Sequence, residues 1–160
     1  MRRFIGRKRW GAEEQLIFRA FEARDVEPVF AIQSSCPEIA QWSLWDYERV
    51  ARGEMPGWAA EEATGVVGFI VARRVVDDIE ILNFAVRPGL RRNGIGAALL
   101  GEVISWGKSL QAERVYLEVR AANLAALRFY EKHNFQITGR RPHYYAAPTD
   151  DALLLTGELV

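Results

Sequence analysis

A change of hydrophobic period near residue 94 constrains the fold of this chain more than any other feature. Before it, three segments have the composition of β-strands and are joined by short turns: GWAAEEA, GVVGFIVARRV and DIEILNFAVRP. After it, apolar side chains recur at helical spacing from Gly94 to Leu110. Strands with such short connections are antiparallel neighbours. The sequence therefore predicts a β-meander that leads directly into a helix.

The elements on either side complete an α+β pattern. Glu14–Glu22 alternates like a strand, and two helical segments follow it. Asp25 can cap the first, and the second is predicted to run from Cys36 to Arg52. Downstream of the meander we predict a strand, a helix and two closing strands, in the order Arg114–Val119, Asn123–Lys132, FQITGRR and DALLLTGEL. The order β, α, α, β, β, β, α, β, α, β, β predicts a mixed, mostly antiparallel sheet flanked by helices.

Length and charge limit the possible classes of protein. A chain of 160 residues has room for one domain with a single core. Its 21 Lys and Arg residues balance its 21 Asp and Glu residues, so no global field attracts nucleic acid or an acidic membrane. The segment MRRFIGRKRW is a local exception. We therefore predict a basic, solvated arm at residues 1–12 and one domain at residues 13–160, with nucleic-acid contact expected only through the arm.

Hydropathy and cysteine content predict the cellular compartment and bear on whether a metal site is present. The sequence has no apolar run as long as a membrane span. The basic cluster is also not followed by the apolar core that a secretory signal would have. We expect a cytoplasmic protein without membrane contact, as a monomer or weak dimer. Cys36 is the single cysteine, and with only two histidines beside it we expect no metal site. Because Pro37 follows it, Cys36 is predicted to be a small buried or helix-capping residue. A nucleophile is disfavoured, because no His, Asp or Asn in its local sequence could activate the thiol.

The segment VRPGLRRNGIGAALL joins the end of a strand to the start of a helix. Gly94 and Gly96 let the backbone approach a ligand closely, and the first helical turn presents unpaired N–H groups. These donors, the helix dipole and the side chains of Arg91 and Arg92 together favour a phosphate group. A dinucleotide fingerprint does not fit, because GIGAAL lacks the third Gly and follows a meander strand. The non-functional alternative is a Gly-rich helix start with two solvated arginines.

A second group of polar residues lies in LEVRAANLAALRFY. Strand alternation places Glu118 on the polar face of its strand, beside Arg120. Asn123 stands at the N-cap of the following helix, and Ala126 and Tyr130 share one stripe with it. A capping amide, a small side chain and a phenol in one line can follow an extended ligand. The alternative is a solvated Glu–Arg pair, an Asn that only caps and a Tyr that only packs.

The motif Arg91-x-x-Gly94-x-Gly96 at a strand-to-helix junction resembles the pyrophosphate motif of the GNAT acetyltransferases, whose fold has the element order given above. In that family the turn holds the pyrophosphate of acetyl-CoA, and the preceding strand splays from its neighbour and offers backbone groups to the pantetheine arm. The resemblance implies acetyl-CoA as cosubstrate. It also implies a set of cofactor-binding positions: Phe84, Ala85, Val86, Arg91, Arg92, Asn93, Gly94, Ile95, Gly96 and Ala97.

From about Ile79 to about Leu155 the sequence is similar to one subfamily, the bacterial ribosomal-protein alanine N-acetyltransferases. The similarity is carried by LEVR-x-x-N-x-x-A-x-x-x-Y and by the later segment RRPHYYAAPTDDALLL. It implies that Glu118 is the general base, that Tyr130 is the general acid and that Asn123 contacts CoA.

One residue departs from the family pattern, and another competes with Glu118 for the role of general base. Asn134 stands where the family usually has Gly before Phe, and Asn tolerates the left-handed conformation of a helix C-cap. Glu80 lies on the strand that leads to the cofactor-binding positions, and in other GNAT branches a Glu on that strand is the base. Glu118 is the preferred base, and Glu80 stays open as its competitor.

The chemistry of amide formation explains these residue types. An α-amine with a pKa of about 7.7–8.0 must lose a proton before it attacks a thioester. A carboxylate can accept that proton directly or through one water, and a positioned phenol can protonate the departing CoA thiolate. Direct attack in a ternary complex needs no enzyme nucleophile, which is consistent with an uninvolved Cys36.

The resemblance therefore implies transfer of acetyl from acetyl-CoA to the N-terminal α-amine of a protein, such as a ribosomal protein. Other readings remain open: a small-molecule amine or a lysine side chain as acceptor, a noncatalytic CoA-binding sensor, and an RNA-contacting module led by the basic arm. Tyr144 and Tyr145, with Trp42, Trp45 and the arm, are candidates for an acceptor groove.

Overall fold

The computed structural model describes residues 8–10, 14–91 and 93–160. The helices of this part of the chain are α1 (Val26–Ser34), α2 (Leu44–Ala51), α3 (Ile95–Ser109) and α4 (Leu124–Lys132). Its strands are β1 (Lys8–Trp10), β2 (Glu14–Ala20), β3 (Gly57–Glu62), β4 (Gly65–Val75), β5 (Asp78–Val86), β6 (Arg114–Arg120), β7 (Gln136–Ala146) and β8 (Thr149–Glu158). Short 3₁₀ turns occupy Ala23–Asp25 and Pro88–Leu90.

The chain forms two compact units. The first comprises the described residues up to Arg73 together with Leu82–Val103, and the second comprises Arg74–Ile81 together with Ile104–Val160. Strands β4 and β5 and helix α3 each pass from one unit into the other. Among the described helices, none is long and apolar enough to cross a membrane.

In the first unit the strands follow one another in chain order from β1 to β5. Successive pairs from β1 to β4 are antiparallel, with a register shift between Ala60 and Glu61. The core of this unit surrounds Tyr47 on α2, which is fully buried. Its ring meets Phe69 edge-on at 5.6 Å and stacks on Phe21 at 6.5 Å. Aromatic pairs at these separations add to the stability gained from burial alone.

In the second unit the strand order is β5, β6, β8, β7. β5 and β6 are parallel, whereas β8 is antiparallel to both of its neighbours. Along β6 the side chains of Val115, Leu117 and Val119 are buried, and the alternate residues are partly exposed. This confirms the predicted alternation, which places Glu118 on the more open face of the sheet.

The pairing of β5 with β6 is short, as splayed central strands require. It joins Asp78 to Arg114, Ile79 to Val115 and Glu80 to Tyr116. β5 then continues to Val86, and β6 continues to Arg120. The predicted meander, the long helix after it and the α+β class are confirmed.

The second predicted helix is wrong at its start, because α2 begins at Leu44 and not at Cys36. Ser43 and Asp46 form a reciprocal capping box: Asp46 N–H donates to Ser43 Oγ at 3.2 Å, and Ser43 N–H donates to Asp46 Oδ2 at 2.8 Å. This cap fixes the first turn of α2. Residues 35–43 instead form a connection between α1 and α2, called the α1–α2 loop below. Cys36 is buried in it, as predicted, but caps no helix.

Two further details differ from the sequence predictions. Asp25 precedes α1, but its side chain does not cap that helix. Its carboxylate accepts hydrogen bonds from Glu22 N–H at 2.7 Å and from the Arg19 guanidinium at 2.7 and 2.8 Å. Within the predicted solvated arm, Lys8–Trp10 forms strand β1 and pairs with β2. The rest of that arm, residues 1–7 and 11–12, lies outside the described residues.

Candidate active site

The end of β5 carries the three residues predicted to meet the pantetheine arm. Ala85 and Val86 are buried and Phe84 is partly buried, so a ligand would meet their backbone rather than their side chains. Gly68 on β4 lies so close that a Cβ there would stand 3.1 Å from the Ala85 carbonyl oxygen. Phe84 N–H donates to the side-chain oxygen of Asn83 at 3.1 Å. Gly68 therefore packs directly against the backbone at the end of β5.

The predicted phosphate-binding turn follows a 3₁₀ turn at Pro88–Leu90 and leads into α3. Gly94 has a φ of 79°, which favours glycine because a side chain is strained there. Ala98 donates to the Gly94 carbonyl at 3.1 Å, so the amides of Ile95, Gly96 and Ala97 precede this helical hydrogen bond. Such first-turn donors at the positive end of a helix dipole suit an anion.

The side chains of this turn contribute unequally. Ile95 is buried, which leaves only its backbone for a ligand, and Asn93 is exposed. Arg92, also predicted to bind the cofactor, lies outside the described residues.

Arg91 is held by a different part of the first unit. Its Nη2 donates to Glu38 Oε1 at 2.7 Å and to Cys36 Sγ at 3.1 Å, and its Nε donates to the Val86 carbonyl at 3.2 Å. Burial raises the pKa of the Cys36 thiol, although the Arg91 charge acts in the opposite direction. A thiol with a raised pKa is a poor nucleophile, which supports the predicted structural role of Cys36.

A buried polar network lies behind the end of β5, also within the first unit. The amide nitrogen of Asn83 donates to the Tyr47 hydroxyl and to the Ala40 carbonyl, both at 3.1 Å. The Tyr47 hydroxyl donates to the side-chain oxygen of Gln33. The side-chain nitrogen of Gln33 donates to the Trp42 carbonyl at 2.8 Å, and Trp42 N–H donates to the side-chain oxygen of Gln33 at 3.0 Å. This network joins the α1–α2 loop to β5 at the residue that precedes Phe84.

In the second unit, the preferred base Glu118 lies on β6 opposite Leu154 of β8. Its Oε1 is 3.0 Å from Arg141 Nε; the Glu118 side chain is 24% exposed and the Arg141 side chain 62%. Registered strand partners point to the same face of a sheet, so Glu80 shares the face of its partner Tyr116 and of Glu118. Both candidate bases therefore lie on one face of this unit.

Asn123 is the N-cap of helix α4, as predicted. The Asn123 side-chain oxygen accepts a hydrogen bond from Ala126 N–H at 3.2 Å. After the helix, Asn134 has a φ of 65°, which confirms that it adopts the left-handed conformation expected at that position. Phe135 N–H donates to the Tyr130 carbonyl at 3.0 Å. The reversal brings the Phe135 ring to 5.3 Å from the Tyr130 ring.

Tyr130, the predicted general acid, is 4% exposed and also packs edge-on against Phe129 at 5.1 Å. Burial raises the pKa of its phenol. The phenol therefore stays protonated at neutral pH, and a general acid must carry its proton until the leaving group needs it.

The aromatic candidates for acceptor binding fall into two groups. In the second unit, Tyr144 and Tyr145 meet edge-on at 5.1 Å, and the Arg120 guanidinium lies 4.2 Å from the centre of the Tyr145 ring. In the first unit, Trp45 is exposed on α2, and Trp42 packs 5.4 Å from the Tyr47 ring.

A groove with a volume of about 270 Å³ opens on the face of the second unit that carries Glu118. It is lined by Asp78, Arg114, Tyr116, Thr138, Leu154 and Thr156, none of which was predicted as a site residue. In the described part of the chain, no three His, Cys, Asp or Glu side chains are grouped so that they could hold a metal ion.

Three residues that contact the predicted site were missed by the sequence reasoning: Glu38, Asn83 and Arg141. Asn83 alone left a signal, because it occupies an inward position of β5 that Ile79, Ile81 and Ala85 share. A polar residue in such a series requires buried partners. Glu38 and Arg141 gave no local signal, since their contacts depend on chain segments that are distant in sequence.

Comparison with known proteins identifies the class. The sequence profile of the acetyltransferase (GNAT) family matches residues 17–135. The chain therefore belongs to the GNAT family, and it is an acetyl-CoA-dependent N-acetyltransferase. The predicted family, fold and enzyme class are confirmed.

The chain is similar to several bacterial enzymes. The [ribosomal protein bS18]-alanine N-acetyltransferase of Haemophilus influenzae is 28% identical over 133 residues, which is 83% of this chain and 90% of the relative. The enzyme of the same name from Escherichia coli K12 is 36% identical over 86 residues, which is 54% of this chain and 57% of the relative.

Solved structures agree on the fold. The E. coli ribosomal-protein-S18-alanine N-acetyltransferase has a TM-score of 0.78 at 24% identity, covering 90% of this chain and 94% of that one. Ard1 from Thermoplasma volcanium has a TM-score of 0.79 at 31% identity, with 91% and 98% covered. Arabidopsis thaliana NAA60 in complex with a bisubstrate analogue has a TM-score of 0.83 at 23% identity, with 89% and 97% covered.

Proposed function

We propose that this protein acetylates the N-terminal α-amine of a protein, with ribosomal protein bS18 as the first acceptor to test. The observation that carries the proposal is the short pairing of β5 and β6, which ends at Glu80 and Tyr116. On β5 the residues that follow include Phe84–Val86, and on β6 the next residue on the same face is Glu118. Two relatives that the chain resembles are named for alanine acetylation of bS18.

The cofactor half of the reaction is assigned to the phosphate turn, to the end of β5 and to Asn123. The amides of Gly94–Ala97 and the Arg91 guanidinium bind the pyrophosphate, because an anion is stabilised by first-turn donors and by a cation together. Backbone groups of Phe84–Val86 bind the pantetheine arm, and the Asn123 side chain adds a contact to CoA. The raised pKa of Tyr130, caused by burial, keeps a proton available for the sulfur.

The chemical step needs two proton transfers. The acceptor amine loses a proton to Glu118, directly or through one water, and its nitrogen forms a bond to the thioester carbonyl carbon. The carbon–sulfur bond then breaks, and Tyr130 gives its proton to the CoA thiolate. The products are an amide and CoA thiol. No bond to an enzyme side chain forms, which agrees with the buried position of Cys36.

The proposal is tested by incubating the enzyme and acetyl-CoA with peptides that differ in their first residue, followed by mass spectrometry. We expect one acetyl group on the α-amine of a peptide with the N-terminal sequence of bS18. We expect Glu118→Gln and Tyr130→Phe to reduce transfer while CoA binding persists. Acetylation of a free small amine or of lysine without any α-amine would contradict the acceptor class.

A noncatalytic sensor predicts a different pattern. It would bind CoA, release no CoA thiol with any acceptor, and be unaffected by Glu118→Gln or Tyr130→Phe. An RNA-contacting module would show salt-sensitive RNA binding that is lost when residues 1–10 are deleted.

A further inference from the structure

Arg91 is assigned to the pyrophosphate, but its guanidinium donates a hydrogen bond to Glu38 of the α1–α2 loop. The guanidinium Nη2 lies 2.7 Å from Glu38 Oε1 and also donates to Cys36 Sγ at 3.1 Å. The side chains of Arg91 and Glu38 are 43% and 29% exposed, so water reaches this ion pair. An ion pair of this kind is weak enough for a better ligand to displace.

Guanidinium geometry makes Glu38 a competitor of phosphate. Arginine binds an oxyanion bidentately through two parallel N–H groups, from either the Nε and Nη2 edge or the Nη1 and Nη2 edge. Both edges include Nη2, the atom that Glu38 and Cys36 occupy. The Nε is also engaged, by the Val86 carbonyl at 3.2 Å. A two-point contact between Arg91 and a phosphate group therefore requires Nη2 to give up one of its two bonds, and the bond to Glu38 is the one to a competing carboxylate.

The α1–α2 loop is attached to the rest of the first unit at a second place, which phosphate does not reach. The Ala40 carbonyl accepts from Asn83 at 3.1 Å, and the Trp42 backbone is held by Gln33 at 2.8 and 3.0 Å. Asn83 and Gln33 are both buried. The Gln41 side chain also donates to the carbonyls of Cys36 and Ile39, at 3.1 and 3.0 Å. Loss of the Glu38 contact would thus free the Glu38 side chain and leave the loop in place.

We propose that Glu38 binds the Arg91 guanidinium in the free enzyme and that the pyrophosphate of CoA displaces Glu38 from it. This ion pair is called the latch below. The proposal rests on the cofactor site of the proposed function. Binding of CoA then requires one ion pair to break, and it leaves the Glu38 carboxylate without Arg91.

Removal of the charge at residue 38 should strengthen CoA binding. We expect Glu38→Gln to bind CoA about threefold more tightly in a calorimetric titration, because an exposed ion pair contributes at most about fivefold. Glu27→Gln is the matched control, since Glu27 is an exposed acid on α1 and the substitution removes the same charge. An affinity for Glu38→Gln equal to or below that of the wild type would overturn the latch.

A double-mutant cycle separates competition from a general charge effect. Removing any acid near an anion site lowers repulsion, and that effect persists when Arg91 is replaced. The latch instead predicts that Glu38→Gln strengthens CoA binding in the wild type and has no effect in an Arg91→Gln background. An equal gain in both backgrounds would refute it. Absence of CoA binding by the wild-type enzyme would instead contradict the proposed function itself.

Discussion

Replacement of Asn83 by Ala should destabilise the protein more than its small size suggests. The Asn83 side chain is 4% exposed and makes three hydrogen bonds, to the Tyr47 hydroxyl, to the Ala40 carbonyl and from Phe84 N–H, each at 3.1 Å. A typical hydrogen bond contributes about 1 kcal/mol, and a buried group left without a partner costs about 1–3 kcal/mol. We therefore expect the free energy of unfolding to fall by about 3 kcal/mol.

Urea denaturation followed by circular dichroism measures this change, with Asn93→Ala as the control because Asn93 is exposed. The control should stay within about 0.5 kcal/mol of the wild type. Asn83→Asp keeps the acceptor for Phe84 N–H but replaces the donor with a buried carboxylate facing the Ala40 carbonyl, so it should be no less damaging than Ala. A loss below about 1 kcal/mol for Asn83→Ala would refute the inference that this network holds the α1–α2 loop against β5.

Three other predictions concern the base, the phosphate turn and a partly buried acid. Glu118→Gln should lower kcat/KM by about 10²–10⁴-fold and Glu80→Gln by much less, and the reverse order would identify Glu80 as the base. Gly94→Ala should reduce CoA affinity and cost about 1–2 kcal/mol of stability, measured by urea denaturation, because φ is 79° there. Burial raises the pKa of Glu102, so its ionisation opposes folding above the unfolded-state pKa of about 4.3. Glu102→Gln should therefore raise stability at pH 7 and leave it unchanged near pH 3; equal stability of both proteins at pH 7 would contradict this.

Local patterns predicted most of the fold. The alternation of Val115, Leu117 and Val119, the helical period after Gly94 and the cap at Asn123 each depend on residues a few positions apart, and each is present in the structure. The start of α2 was predicted wrongly because Cys36 and Pro37 imitate a helix start. The true signal was also local, a Ser at residue 43 followed by an Asp at the third helical position.

The long-range side-chain contacts of the candidate site could not be predicted in this way. Arg91 and Glu38 are 53 residues apart, and their contact depends on how the α1–α2 loop packs beside the phosphate turn. The contact between Arg141 and Glu118 depends on the register of β7, β8 and β6, and β7 carries an irregularity after Arg141. No sequence period encodes such a register. The candidate catalytic and cofactor-binding residues were therefore accessible from motifs, whereas the residues that contact them were not.

The central claim is that the acceptor is a protein α-amine, and one comparison tests it most directly. A peptide with the N-terminal sequence of bS18 is prepared with a free α-amine and no lysine, and a second form has a blocked α-amine and one free lysine. The rate of CoA thiol release is measured for both with acetyl-CoA and the wild-type enzyme. The account predicts rapid release with the first peptide only and a large loss of that rate in Tyr130→Phe. Equal release with both peptides, or release only with the second, would contradict it.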